Sequence, residues 1–290
     1  MRVLFEKIKA YADFIKIEHT LFALPFAYSG AFLASGNIFS FRLFLLIFLA
    51  FTGLRSAAMS LNRIIDRHID ALNPRTANRH LPAGLITLRE AYLLTAISLA
   101  VYFTSAYLIN WIAFMLSPIP AITVYVYPYL KRFTCLTHYF LGLNLALAPL
   151  GGWIAVKNSL NFDISITLLS ISVMFWVSGF DIIYALQDIE FDRKYGLHSI
   201  GACFGIEKAL MVSGINHAIF FILLSISLIS YFGFKSLAGI AVIAFLLLYE
   251  HLIVRRFDRR SIQIAFFNIN AVISLIIFLT ILFGVLIGSR

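Results

Sequence analysis

The sequence predicts an all-α integral membrane protein with nine transmembrane helices, and three observations carry that reading. Hydrophobic residues make up 61% of the 290 and charged residues only 13%; with a mean hydropathy of +0.91, that is not the composition of a water-soluble domain. Apolar runs near the ~20 residues needed to cross a bilayer recur along the whole chain. Between those runs, the basic residues fall almost entirely on one side.

Residues 1–18 come first. Val3, Leu4, Ile8, Tyr11, Phe14 and Ile15 share roughly one helical face, with Lys7, Lys9, Asp13 and Lys16 elsewhere, the pattern of an amphipathic helix lying on the membrane surface. Glu6, Asp13 and Glu18 interrupt this stretch and no apolar core follows the lysines, so a cleavable signal is not expected. Spans follow at about 21–38, 43–62, 91–109, 111–130, 139–156, 164–187, 209–232, 237–254 and 264–287. Asn110 alone separates the third from the fourth, and the fifth contains Pro149 and Gly151-Gly152.

Loop charge tests the count. With the N-terminus inside, 18 of the 23 Lys and Arg lie in inner segments and 4 in outer ones, while Arg55 lies within the second span. An excess this steep on one side predicts a cytoplasmic N-terminus and an outward C-terminus in a multi-pass protein of a cell membrane, such as a bacterial inner membrane. The same rule accounts for the net charge of +9, so no nucleic-acid partner is inferred. No protein partner is inferred either. Cys135 and Cys203 stand apart, with no CxxC or metal spacing. The longest inner loops are 63–90 and 188–208, within a chain that reads as one domain over 1–290.

Both of these loops begin with the same arrangement. Asn62, Asp66 and Asp70 recur every four residues, so on a helix they form one polar stripe. Asp181, Asp188 and Asp192 repeat it at spacings of seven and four, with Tyr184 opposite Asn62. Any one Asp at a helix end is ordinarily just solvated. Two matched carboxylate faces in so apolar a chain repel unless a cation sits between them, and Mg²⁺ commonly bridges one or two carboxylates to substrate phosphates. Arg75, Arg79, Lys131, Arg132 and Lys194 are basic residues suited to holding the anion that the metals bridge. Metal plus phosphate in a membrane cavity points to a lipid diphosphate.

Arg55 lies two turns before Asn62 on the same helical face. A cation at that depth costs about 2.5–3.5 kcal/mol on insertion scales, so it faces the interior. Two readings stay open, a substrate carboxylate or a structural partner. Tyr127, one turn before Lys131, and Tyr184 are the aromatics best placed to line a cavity that stabilises an allylic cation. The histidines have no zinc spacing, and no phosphate loop or serine elbow is present.

Taken together, Asn62-xxx-Asp66-xxx-Asp70, Arg75-Thr-Ala-Asn-Arg79-His-Leu-Pro-Ala-Gly84, Tyr127-Pro-Tyr-Leu-Lys131-Arg132 and Asp181-xx-Tyr184-xxx-Asp188-xxx-Asp192 resemble the UbiA superfamily of intramembrane aromatic prenyltransferases, in particular its 4-hydroxybenzoate polyprenyltransferase branch. The resemblance implies nine helices around a central cavity, capped by the cytoplasmic loops. It implies that Asp66, Asp70, Asp188 and Asp192 hold Mg²⁺ against the diphosphate of a polyprenyl substrate, supported by Asn62. Arg75, Arg79 and Lys131 would contact the diphosphate, Asp181 and Tyr127 would lie near the reacting carbon, and Arg55 would meet the carboxylate of an aromatic acceptor. Ile17-Glu18-His19-Thr20, Arg63 after Asn62, and Ala148-Pro149-Leu-Gly-Gly-Trp153 depart from the ubiquinone enzymes and look like the UbiA-like enzymes of the futalosine route to menaquinone. A secondary transporter is the alternative from another class, but the Asp residues lie at the cytoplasmic edge and no symmetric pair of spans is broken. The Asp-xx-Asp-Gly signature of CDP-alcohol phosphotransferases is absent.

Overall fold

The computed structural model describes residues 2–255, 262 and 264–288, and every regular element among them is helical. Arg256, Arg259, Arg260 and Arg290, counted above as loop cations, lie outside the described residues. The N-terminal helix α1 spans Arg2–Phe14 and stops short of the expected boundary at residue 18. Its last residue, Phe14, is buried with Ile64, Ile86 and Ala91. Lys7 and Tyr11 reach Glu90 at 2.7 and 3.0 Å, tying α1 to the start of α4.

Helix α2 (Thr20–Ser35) leads to α3 (Phe41–Leu72), which Ser40 caps. The second span was expected to end near 62, but α3 continues ten residues further and carries the first Asp stripe on a rigid helix. Proline 74 explains the eventual stop. The residue before a proline is pushed out of the helical region, and Asn73 is extended at φ −88, ψ 118. Helix α4 (Leu88–Ile109) opens with a capping box between Thr87 and Glu90. Asn110 is extended (φ −168, ψ 169) and its side chain caps α5 (Trp111–Leu116) by accepting from the Ala113 amide. One residue therefore ends one helix and starts the next. Helix α6 (Pro118–Leu130) follows with proline in its first turn.

Helix α7 (Thr137–Lys157) runs through Pro149, and α8 (Ile164–Ala185) is capped by Asp163. Two short helices, α9 (Ile189–Tyr195) and α10 (Ile200–Phe204), occupy the expected loop at 188–208. Helices α11 (Ile206–Phe232) and α12 (Leu237–Val254) come next, and a π-helical turn (Ile264–Ile269) enters α13 (Asn270–Leu286). Seven segments among the described residues are long and apolar enough to cross a membrane. One of them, Ile206–Val254, contains both α11 and α12, while α2, at 16 residues, is not among them.

The core gathers on Trp176 of α8, against which Phe26, Phe180 and Phe220 pack at 5.2, 5.0 and 6.0 Å between ring centroids. Helices α2 and α7 touch backbone to backbone. A Cβ on Gly30 would lie 1.9 Å from the Pro149 oxygen, and one on Gly152 would lie 1.9 Å from the Ala27 oxygen. Small residues at such contacts let helices gain dispersion energy that lipid cannot supply. Between α3, α6, α7, α8 and the π-turn lies a cavity of about 1130 Å³.

Candidate active site

The cavity is apolar over much of its wall, with Phe51, Leu54, Leu141, Leu145, Val177 and Phe266 among its lining residues. Toward the loop that follows α3 it becomes polar, lined by Asn62, Arg63, Arg75, Asn78, Arg79 and His80. Tyr127, Tyr184 and Arg55 also line it. These sequence-predicted residues therefore meet in one chamber, although up to 129 positions separate them in the sequence.

The predicted carboxylates and the predicted cations have found each other. Lys131 Nζ donates to Asp66 at 2.6 Å, and Arg132 reaches the other oxygen at 3.3 Å. Arg79 Nη1 donates to both oxygens of Asp70, at 2.7 and 2.8 Å. Arg75 grips Asp188 with Nε at 2.8 Å and with Nη2, and it donates through Nη1 to the Tyr184 hydroxyl at 2.9 Å. A planar guanidinium fork suits such two-point contacts. Asp192 accepts from Ser199 at 3.1 Å, and Asp181 is bound by His138 at 2.7 Å. Burial disfavours the Arg75 charge, but the bonds to Asp188 and Tyr184 outweigh it and raise its pKa. Burial lowers the pKa of His80, so the cavity's positive charge at neutral pH comes from Lys16 and the arginines in its wall and not from this ring.

The first and second Asp motifs are stitched together by Asn73, whose Nδ2 donates to Asp188 at 2.9 Å. Asn73 also accepts from the Arg75 amide through its side chain, so one residue shapes the turn and joins the two motifs. Sequence reasoning missed it; the available signal was an Asn before Pro74, the turn pair that follows a helix end. Arg63, which is buried and lines the cavity, and His138 were also missed as site residues. Lys194 is exposed with its ammonium over the Tyr195 ring, and the structure does not bring it to the cavity wall.

Cys135 and Cys203 form a disulfide across a separation of 68 residues, contrary to the expectation that they stand apart. The bridge joins the segment after Lys131–Arg132 to α10, and the His198 amide donates to the Lys131 carbonyl beside it at 2.6 Å. No local spacing signals a contact that only the fold creates.

Among the described residues no group of three or more His, Cys, Asp or Glu converges as a metal cage. The donor set nevertheless suits Mg²⁺ in kind, because it is all carboxylate oxygen, from α3 and from the segment that runs from the end of α8 into α9, held together through Asn73 and Arg75. Mg²⁺ needs only one or two protein carboxylates when phosphate and water complete its shell.

A greasy chamber whose polar end carries Arg75 and Arg79, ion-paired behind the wall to Asp188 and Asp70, suits an amphiphile with an anionic head. Residues 23–272 match the model of the UbiA prenyltransferase family, and the chain belongs to that family. A 4-hydroxybenzoate octaprenyltransferase of Aliivibrio fischeri is 30% identical over 262 residues, covering 88% of this chain and 89% of that protein. The apo structure of a UbiA homolog from Aeropyrum pernix K1 superposes with a TM-score of 0.83 at 36% identity, over 92% of this chain and 98% of that one. A UbiA homolog from Archaeoglobus fulgidus bound to DMAPP and Mg²⁺ has a TM-score of 0.68 at 25% identity, covering 93% and 98%.

Proposed function

We propose that this prenyltransferase moves a polyprenyl group from an allylic polyprenyl diphosphate to the ring of an aromatic acid, 4-hydroxybenzoate or a related aromatic of quinone biosynthesis, with Mg²⁺ as cofactor. The observation that carries the reading is the matched pairing of Asp66, Asp70 and Asp188 with Lys131, Arg79 and Arg75. A magnesium diphosphate presents the same two charges in the same order. Its metal suits the carboxylates and its phosphate oxygens suit the guanidiniums, so each ion pair is replaced and no buried charge is left alone. The DMAPP and Mg²⁺ bound to the Archaeoglobus homolog are a pair of this kind.

The chain's residues then have distinct tasks. Bound Mg²⁺ would supply charge neutralisation at the departing diphosphate. Arg75, Arg79 and Lys131 hold the diphosphate oxygens as negative charge builds on them. The apolar wall keeps water from the allylic cation, and the faces of Tyr127 and Tyr184 stabilise it. Arg55 fixes the acceptor through its carboxylate, with the ring turned to attack. Nine crossings serve this site, with a cytoplasmic N-terminus, an outward C-terminus, α1 on the membrane surface and the segments 63–90 and 188–208 as caps. The prenyl tail leaves sideways into lipid.

The test is to incubate membranes containing the protein with labelled polyprenyl diphosphate and a panel of aromatic acceptors, with and without Mg²⁺. Label is expected in a ring-prenylated aromatic acid only when Mg²⁺ is present. Label in no aromatic product overturns the reading.

A further inference from the structure

His138 belongs to no predicted motif, yet it links two parts of the site. It lies in the first turn of α7 and is 2% exposed. Its Nδ1 is 2.7 Å from Asp181 Oδ2, and its Nε2 is 3.3 Å from the backbone nitrogen of Ile200. An amide N–H can only donate, so Nε2 is the acceptor; the neutral ring then carries its proton on Nδ1 and donates it to Asp181. The Ser178 hydroxyl donates to the His138 carbonyl at 3.2 Å, fixing α7 on α8. Ser199, next to Ile200, donates to Asp192. The imidazole thus spans from the deep carboxylate of α8 to the segment that holds the outermost one.

Asp181 has one oxygen held by His138, and its other oxygen takes no hydrogen bond from the described residues. It lies one turn from both Val177 and Tyr184, which line the cavity, and within electrostatic reach of Tyr127. A partly buried carboxylate with one oxygen anchored and the other unbonded among the described residues is a ready acceptor for a substrate hydroxyl. Its aim depends on the group that anchors it.

We propose that His138 is a positioning residue for prenyl transfer: its Nδ1–H fixes Asp181 so that the free oxygen accepts a hydrogen bond from the hydroxyl of the aromatic acceptor. This rests on the reading above that the acceptor is a hydroxylated aromatic acid.

The full-length protein carrying His138→Leu or His138→Asn tests it, because an Asn amide nitrogen stands where Nδ1 does. By the scale of such supporting contacts, His138→Leu is expected to lower kcat about 10–100-fold. KM for the polyprenyl diphosphate should stay within about twofold, since Asp192 keeps its own bond from Ser199. His138→Asn is expected to restore most of the lost kcat. In ¹⁵N-histidine-labelled wild type the ring should show the Nδ1–H tautomer, with that resonance moving in Asp181→Asn. Wild-type kcat in His138→Leu, an Asn variant as slow as the Leu variant, or an Nε2–H tautomer each overturns the proposal. A wild type that shows the Nδ1–H tautomer but prenylates no aromatic acceptor overturns instead the functional reading beneath it.

Discussion

Asp66 and Asp188 differ from ordinary helix-end carboxylates in what faces them. Each is held by a cation from another part of the chain, Lys131 at 65 positions and Arg75 at 113. Removing one member of such a pair strands the other, at a cost of about 3–5 kcal/mol when the pair is well buried. Asparagine is therefore the informative replacement, since it retains a hydrogen-bonding oxygen without the charge. Asp66→Asn and Asp188→Asn are each expected to abolish Mg²⁺-dependent transfer while the protein still inserts and elutes as a single species from detergent. Retained transfer in both would remove the metal assignment. Arg55 separates a different function. It lines the cavity within electrostatic reach of Tyr127 and Glu18; Arg55→Lys keeps the charge but loses the fork that matches a carboxylate. A rise of about tenfold in acceptor KM, with the prenyl diphosphate KM unchanged, is the expected result in steady-state assays.

At the scale of elements, the site depends on helices that approach closely and end abruptly. Helix α3 brings Asp66 and Asp70 to the loop because nothing breaks it before Asn73-Pro74, and the turn there returns Arg79 onto Asp70 and sends Arg75 across to Asp188. On the other side of the cavity, α2 and α7 meet at Gly30 and Gly152 with no room for a side chain. Gly152→Val must push the helices apart, and overpacking of this kind costs roughly 1–3 kcal/mol. The expected outcome is a lower thermal midpoint in detergent together with reduced transfer. A midpoint equal to that of wild type would show that the helices yield without cost.

Across the whole molecule, the Cys135–Cys203 bridge fastens the Lys131 segment to the α9–α10 region, where Asp192 and Ser199 lie. Disulfides closing loops of this order stabilise by about 2–4 kcal/mol. Cys203→Ser is expected to lower the thermal midpoint relative to wild type, and a reducing agent should lower wild type to the same value and leave the variant unmoved. If the reductant changes neither protein, the bridge does not form in solution. On the proposed topology this bridge faces the cytoplasm, where protein disulfides are uncommon outside organisms with oxidising interiors.

The order of these scales is also the order of legibility. Hydropathy, charge placement and the four-residue Asp spacing are local properties, so the sequence by itself determined an all-helical membrane protein, the positions of α4, α7, α8 and α12 within a few residues, and the two Asp stripes. The expectation that Arg75, Arg79 and Lys131 serve the same site as those stripes also came from short motifs. Tertiary structure alone decided which cation meets which carboxylate, that Asn73 joins the two motifs, that His138 anchors Asp181, that Lys194 stays outside, and that two distant cysteines bond. The physical reason is contact distance along the chain. A repeat of three or four residues is written within one helix turn, whereas a hydrogen bond between positions 73 and 188 exists only once the helices between them have packed and brought the two motifs together.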